Sequence, residues 1–392
     1  MLGHTVSRHS EILIIGGGII GISLAAALCA EGVSVRVLEA AASCGVAGAT
    51  AAGMGHLVVM DDNPAELALT RYSCELWRQQ LAQQDAAAAQ EYSNCGTLWL
   101  AADDEEWQAA QTKAQLLRAH GVACELLDAQ ALAAAEPQLR PGLAGALRVS
   151  GDGIVYPPKS VRWLQAQCGA RLQVEQAQVS ALLWQGAHCI GATDAQGRCW
   201  QAGAVAVANG MGALTLLPQL PLRAKRGMLA ISDRYPDFVR HQLVELAYIK
   251  NAHASDGDSI AFNVQPRPSG QLLLGSSRQY DRSDRQLDHA LLGRMLTHAC
   301  HWLPGLAQLQ LIRCWSGVRC ASADGLPLLG PHPQHPGLWL ACGHEGLGIT
   351  TAPASAALLA AQLCGATCAL PIDDYLPARF ATLQADAAAL AA

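Results

Sequence analysis

Charge is scarce in this chain. Asp, Glu, Lys and Arg make up 15% of its 392 residues, and 26 basic against 32 acidic residues leave a net charge of −6 with no basic run anywhere. Without a basic patch there is no electrostatic case for nucleic acid or an anionic membrane, which favours small-molecule chemistry. Long apolar runs are missing too. None reaches the ~18 residues of a membrane-spanning helix, 352–363 coming nearest, so no transmembrane segment is expected. The first ten residues lack the apolar core of a secretory signal, and the expected location is the cytoplasm. None of the 14 cysteines forms C-x-x-C, and Cys342, Cys364 and Cys368 match no common zinc or iron–sulfur spacing, so no metal is expected. The thiols read as reduced core residues. The hydrophobic set is 51% of the chain, which suits a compact globular enzyme, and the length suggests two or three domains.

What is present begins at Ile12. Residues 12–15 read as a buried strand, and Gly16-Gly17-Gly18-Ile19-Ile20-Gly21 follows at once as G-x-G-x-x-G. An alanine-rich apolar helix then runs to Glu31, Gly32 ends it, and 33–38 forms a second strand closed by Glu39. This is a dinucleotide-binding βαβ unit. Gly16 permits a tight turn, Gly18 lets backbone approach a pyrophosphate, and Gly21 lets helix and strand pack closely, while the helix N-terminus offers N–H groups and a positive dipole end. Glu39 sits at about the ~20-residue offset from which an acid accepts hydrogen bonds from a ribose, and its charge repels the extra phosphate of NADP. NAD and FAD both remain open at this point. The small-residue stretch from Cys44 to His56, with Gly48, Ala49, Thr50, Ala51, Gly53 and Met54, suits close approach to a flat ligand.

Further along, helices are expected at 64–81, 103–120, 127–135, 159–167 and 287–303, and strands at 97–100, 172–174, 179–183 and 204–207. The strand at 204–207 ends in Asn209-Gly210, as a central parallel strand would. Residues 223–318 read as an antiparallel sheet with one long helix, its strands at 228–232, 244–249, 259–264 and 271–275. A buried strand at 338–342 precedes a helix that Thr351 can cap, with Pro353 in its first turn. The βαβ pattern begins, leaves and returns. The fold class is therefore α/β, a Rossmann-type nucleotide domain (1–85, 150–215 and 320–392) interleaved with an antiparallel-sheet substrate domain (86–149 and 216–319).

Several motifs together resemble the D-amino-acid oxidase family of FAD-dependent amine oxidoreductases, over nearly the whole chain. They are the Gly16–Gly21 turn with Glu39, Gly48-Ala49-Thr50-Ala51-Ala52-Gly53, Asp152-Gly153 before Tyr156-Pro157, Ala208-Asn209-Gly210, Lys225-Arg226-Gly227, Trp315-Ser316-Gly317-Val318-Arg319, Asp324-Gly325-Leu326-Pro327, and Gly343-His344-Glu345-Gly346-Leu347-Gly348-Ile349. The resemblance implies FAD, bound noncovalently. The pyrophosphate would lie on Gly16, Gly18, Ile19, Ile20 and Gly21, the ribose at Glu39 and Ala40, and the adenine along backbone near Val179. Thr50, Ala51, Gly53, Met54, Asn209 and Gly210 would complete the cofactor contacts, with Gly346, Leu347, Gly348, Ile349 and Thr350 at the pyrimidine edge of the isoalloxazine. A helix N-terminus there stabilises negative charge arriving on the ring. Arg319 matches the family arginine that pairs with a substrate carboxylate, a task suited to a planar, permanently charged fork.

His56, Tyr248, His344 and Glu345 are the other polar candidates for the substrate side. The Gly-His-Glu-Gly-Leu-Gly form looks more like the D-hydroxyproline and D-proline enzymes than glycine oxidase. The activity implied is oxidation of a small amino or imino acid, such as D-hydroxyproline, D-proline, sarcosine or glycine, by hydride transfer from the α-carbon to flavin N5. The electron acceptor would be O2, a quinone or an iron–sulfur partner subunit. Two alternatives use the same fold. One is a 2-hydroxy-acid dehydrogenase, which needs a base such as His56 or His344. The other is the flavin subunit of a heteromeric dehydrogenase.

Overall fold

The computed structural model describes residues 9–246 and 257–383. Among these, the chain forms two units, one of 9–51, 157–223 and 319–383 and the other of 52–156 and 224–318. Segments 52–85 and 150–156, grouped by sequence with the nucleotide half, thus lie in the second unit. There the strand His56–Leu57 pairs with Gly153–Ile154, and Thr70 of the helix Pro64–Leu81 bonds the backbone of Met60. Residues 216–223 go the other way, because Leu217 and Leu220 pack in the core of the first unit.

The first unit is built on a mostly parallel sheet. From one edge its strands are Leu328–Pro331, Leu338–Cys342, Cys199–Val207, His9–Ile15, Val35–Glu39 and Leu172–Gln176, every pairing being parallel except the first. A hairpin of Val179–Gln185 and His188–Asp194 hangs from Cys199–Val207. The inner strands are apolar at consecutive positions because both faces are covered, as parallel sheets require. Leu13, Ile15, Val205 and Val207 fill one core cluster with Trp200 and Leu340. The helix Ile19–Ala30 is apolar all round, and it packs against Gly348–Leu363 and Pro157–Gln167 within the unit. Gly32, at φ +87°, supplies the left-handed turn that ends it.

The second unit carries a sheet in the order Leu311–Ser322, Leu222–Arg234, Gln271–Tyr280, Ser259–Pro266, Gln242–Glu245, Thr97–Ala101, Gly145–Val149 and Glu125–Asp128. Gln271–Tyr280 runs antiparallel to both its neighbours, as expected, whereas Gln242–Glu245 lies parallel to Thr97–Ala101. The helix His289–Trp302 covers one face. Its Trp302 stacks on Phe262 at 5.3 Å between ring centroids, and Leu98, Leu243, Leu272 and Leu274 share that core. Helix starts follow side-chain caps: Asn63, Asp103 and Asp288 accept the N–H groups of Glu66, Glu106 and Leu291 at 2.8, 2.9 and 3.0 Å.

Two expectations need correction. The helix expected at 127–135 starts only at Ala129, because the Asp128 carboxylate accepts from Ala131 N at 2.8 Å and caps it, leaving Leu127 and Asp128 in the strand Glu125–Asp128. Thr351 does not cap the last long helix. That helix is Gly348–Leu363, Leu347 holds the cap position without a side-chain bond, and the Thr351 hydroxyl donates back to Leu347 O at 2.9 Å. The strand expected at 244–249 ends at Glu245, and residues 247–249 lie outside the described residues.

Candidate active site

In the first unit the glycine turn is sterically obligatory. A side chain at Gly16, whose φ is +107°, would place its Cβ 2.7 Å from the Asn209 Cα, and one at Gly21 would collide with the Gly16 carbonyl oxygen. A Cβ at Gly18 would fall 3.1 Å from Thr50 Oγ1, which takes the Ile19 N–H at 3.0 Å. Gly18 itself stands at the start of the helix with no side-chain cap. Gly17 is constrained as well, because its Cβ would meet the buried Cys44 thiol. Burial pushes that thiol up to about 11, with the Glu39 carboxylate adding to the effect. Sequence reasoning missed Cys44, although the run of three glycines signals that something packs there.

Glu39 is held from both sides. Its carboxylate accepts Gly17 N at 2.6 Å and Ala41 N at 2.8 Å, which fixes the acid at the C-terminal end of Val35–Glu39 next to exposed Ala40. A carboxylate has about four lone-pair sites, so further ones remain for ribose hydroxyls. Val179 begins the hairpin strand just past Ala177, whose N–H donates to Glu39 O at 2.8 Å. Asn209 and Gly210 follow the strand beside Gly16. Asn209 Oδ1 is buried and lacks a hydrogen-bond partner among the described residues, and Gly210 adopts φ +58°. Gly-only positions, an uncapped helix start, an anchored acid and this open acceptor fit a dinucleotide.

At the other end of the same sheet edge, Leu338–Cys342 runs into the turn 343–347. Gly343 at φ +82° and Glu345 at φ +49° bend it, and Glu345 N bonds Cys320 O at 2.9 Å. A left-handed glutamate costs of order 1 kcal/mol or more, the kind of backbone strain that concentrates at ligand sites. Its carboxylate accepts Gly346 N at 2.5 Å. Arg319 precedes Cys320 on the strand tied to this turn, and its stem runs beside Gly346, where a Cβ would lie 3.8 Å from Arg319 Cδ, at ordinary contact distance. Leu347, Ile349 and Thr350 stand at the start of Gly348–Leu363, a helix with no side-chain cap. Such a start favours negative charge.

His344 is placed differently from expectation. It is buried, its Nε2 lies 3.1 Å from Ser355 Oγ of the helix, and burial pushes its pKa down to about 3. It is a neutral strut inside the turn rather than a group at its surface. Cys320 is also buried, and burial pushes its thiol up to about 11.

The remaining candidates belong to the second unit. Gly53 and Met54 follow Ala52, whose carbonyl accepts Trp315 Nε1 at 3.2 Å, and Met54 packs with Leu229 and Leu273. Half-buried His56 pairs in register with Ile154. Buried Arg267, which no sequence pattern singled out, donates to Val155 O at 3.1 Å and Met54 O at 3.4 Å and so ties the two segments together. Tyr248 lies outside the described residues. No group of three or more metal-ligating side chains and no helix long and apolar enough to cross a membrane occurs among the described residues.

Comparison with known proteins fits this geometry. The family model for DAO, FAD dependent oxidoreductase, matches residues 11–362. The chain belongs to this family: it is an FAD-dependent oxidoreductase of the group that holds the amino-acid oxidases and dehydrogenases. It is 28% identical to glycine oxidase from Pseudomonas aeruginosa, over 94% of this chain and 98% of that one. In fold it is similar to glycine oxidase from Geobacillus kaustophilus, with a TM-score of 0.83 and 23% identity, covering 95% of this chain and 100% of that one. L-proline dehydrogenase from P. horikoshii gives a TM-score of 0.85 at 21% identity, covering 96% and 99%.

Proposed function

We propose that this enzyme oxidises a small amino or imino acid at its α-carbon, in the class of D-hydroxyproline, D-proline, sarcosine or glycine. The observation that carries this is Arg319, whose stem runs beside Gly346 at the uncapped start of Gly348–Leu363. A guanidinium there pairs with the α-carboxylate through two parallel hydrogen bonds and fixes the Cα–H and the nitrogen in one orientation, which is most of what an unactivated C–H donor needs. The glycine oxidases and the L-proline dehydrogenase among its relatives act, by name, on substrates of this class.

FAD supplies the hydride-accepting chemistry when bound, and the product is the imine. Gly16, Gly18, Ile19, Ile20 and Gly21 would hold its pyrophosphate, Glu39 and Ala40 its ribose, and backbone near Val179 its adenine. Thr50, Ala51, Gly53, Met54, Asn209 and Gly210, with Gly346–Thr350, would line the rest. His344 favours an amine over a 2-hydroxy acid. An alcohol donor needs a base, and an imidazole held near pKa 3 is a weak one, whereas an unprotonated amine needs none.

The test is an anaerobic screen of D- and L-amino acids, imino acids and 2-hydroxy acids for bleaching of the flavin band. Bleaching by an amino or imino acid is expected. Bleaching by hydroxy acids alone would overturn the assignment. Admitting air to the reduced enzyme then identifies the acceptor, since prompt reoxidation marks O2 and slow reoxidation marks a quinone or an iron–sulfur partner.

A further inference from the structure

A line of buried polar side chains crosses the sheet of the second unit on the face away from His289–Trp302. Leu98, Leu243 and Val264 point to that helix, so Thr97, Gln242 and Gln265, each one residue along its strand, point the other way. All three are buried. Arg267 Nη1 donates to Gln265 Oε1 at 3.3 Å, Gln265 Nε2 to Gln242 Oε1 at 3.3 Å, and Gln242 Nε2 to Thr97 Oγ1 at 3.2 Å. The Thr97 hydroxyl in turn donates to the Asp152 carboxylate. Every bond runs in the same sense, from a buried cation to a buried acid, and the members of such a chain polarise one another when charge appears at its end.

The cation end has a second task. Arg267 Nη1 carries two hydrogens and faces three acceptors, Gln265 Oε1, Val155 O at 3.1 Å and Met54 O at 3.4 Å. A stronger pull from Gln265 therefore weakens the hold on the backbone, first at the longest contact, Met54 O. The Met54 side chain packs on Leu229 and Leu273, so a shift of its backbone changes the surroundings of its methyl group. Arg267 has Glu91, the Tyr156 ring and Cys95 beside it. Asp152 is faced by Lys113, which pairs with Asp61, and by Cys74, Tyr92 and Cys95, which burial keeps protonated near neutral pH. Histidines also change charge near neutrality, and two stand nearby, His56 paired with Ile154 and His241 bonded to Glu136.

We infer that Arg267 is a positioning residue for the Met54 segment, and that the charge on Asp152, relayed through Thr97, Gln242 and Gln265, sets its grip: firm when Asp152 is neutral, loose when it is ionised. The relay lies within one unit. Its link to catalysis rests on the reading above in which Met54 lines the flavin.

The test labels the methionine methyl groups with carbon-13 in the FAD-loaded enzyme, assigns Met54 through Met54→Leu, and follows its resonance and the flavin absorption band from pH 5 to pH 9. Wild type is expected to show one step near pH 7 in both. Asp152→Asn, Gln265→Met and Arg267→Met should each lose the step. Gln265→Met should keep the pH slope of Tm that Asp152 sets, since its acid is intact, and Gln242→Met is the second cut in the chain should Gln265→Met not hold FAD. A Met54 resonance that does not titrate, or a step that survives in the cut chain, overturns the inference. So does a step that survives in Asp152→Asn, which would belong to a histidine. A Met54 step with no flavin step leaves the relay standing and overturns the placing of Met54 against the flavin.

Discussion

Asp152 is a buried acid whose charge the second unit holds at a disadvantage. It is 2% exposed, and its Oδ2 has no hydrogen-bond partner among the described residues. Desolvation pushes its pKa up from 3.8 to about 7, although the Thr97 hydroxyl, the Val59 backbone and the Lys113 charge act the other way. In the unfolded chain the carboxyl ionises near its ordinary value, so the folded state binds one more proton between the two. The stability Asp152 contributes is fully present below about pH 4, falls as pH rises, and is gone above about pH 7. A rise from 3.8 to about 7 corresponds to about 4 kcal/mol. At roughly 2.1 cal/mol/K of unfolding entropy per residue over 392 residues, that is about 5 °C in Tm. Asp152→Asn keeps the shape and cannot ionise. Thermal unfolding of the FAD-loaded proteins from pH 5 to pH 8 should show the variant gaining on wild type as pH rises, and the gain levelling above pH 7. Parallel profiles for the two proteins would refute the idea that a buried, ionisable Asp152 sets this slope.

Other expectations concern the cofactor. Gly21→Ala should cost about 1–3 kcal/mol of stability and release FAD, because the new methyl meets the fixed Gly16 carbonyl; a variant that purifies with full FAD and an unchanged Tm would contradict this. Glu39→Ala should weaken FAD roughly 10-fold or more by fluorescence titration, since the ribose loses a charged acceptor and the Gly17 and Ala41 N–H groups lose theirs; unaltered affinity would remove Glu39 from the ribose. Acid precipitation should leave a colourless pellet, as the buried, protonated Cys320 thiol is a poor nucleophile; a yellow pellet would mean a covalent flavin.

Legibility followed the range of the forces involved. The βαβ unit could be read because most of its determinants are local: consecutive apolar residues make the strands, and the Gly21 position is closed by the Gly16 carbonyl of the same turn, although Gly16 and Gly18 also face Asn209 and Thr50 from distant segments. Asn63-Pro64 likewise marks its helix start through a cap three residues long. The second sheet was harder. Thr97 pairs with Gln242 in parallel across a large sequence gap, and nothing in either segment names its partner. At the candidate site, the Gly343–Ile349 turn was visible as a pattern, but the burial of His344 against Ser355 depends on how the helix after it packs. Arg267 gave no signal, because a lone polar residue just past a strand looks the same in sequence whether it faces solvent or the interior.

The proposed role of Arg319, as anchor for the carboxylate of an amine substrate, is tested by a substrate titration of Arg319→Ala holoenzyme under anaerobic conditions. With full FAD content and an unchanged Tm, the substrate concentration for half-bleaching should rise roughly 10- to 100-fold, since charge-assisted hydrogen bonds worth roughly 1.5–3 kcal/mol each are lost. Arg319→Lys should recover only part of that, because an ammonium cannot reproduce the planar fork. If Arg319→Ala bleached at the same concentration and rate as wild type with its best carboxylate substrate, the anchor would lie elsewhere and the assignment of the site would fail.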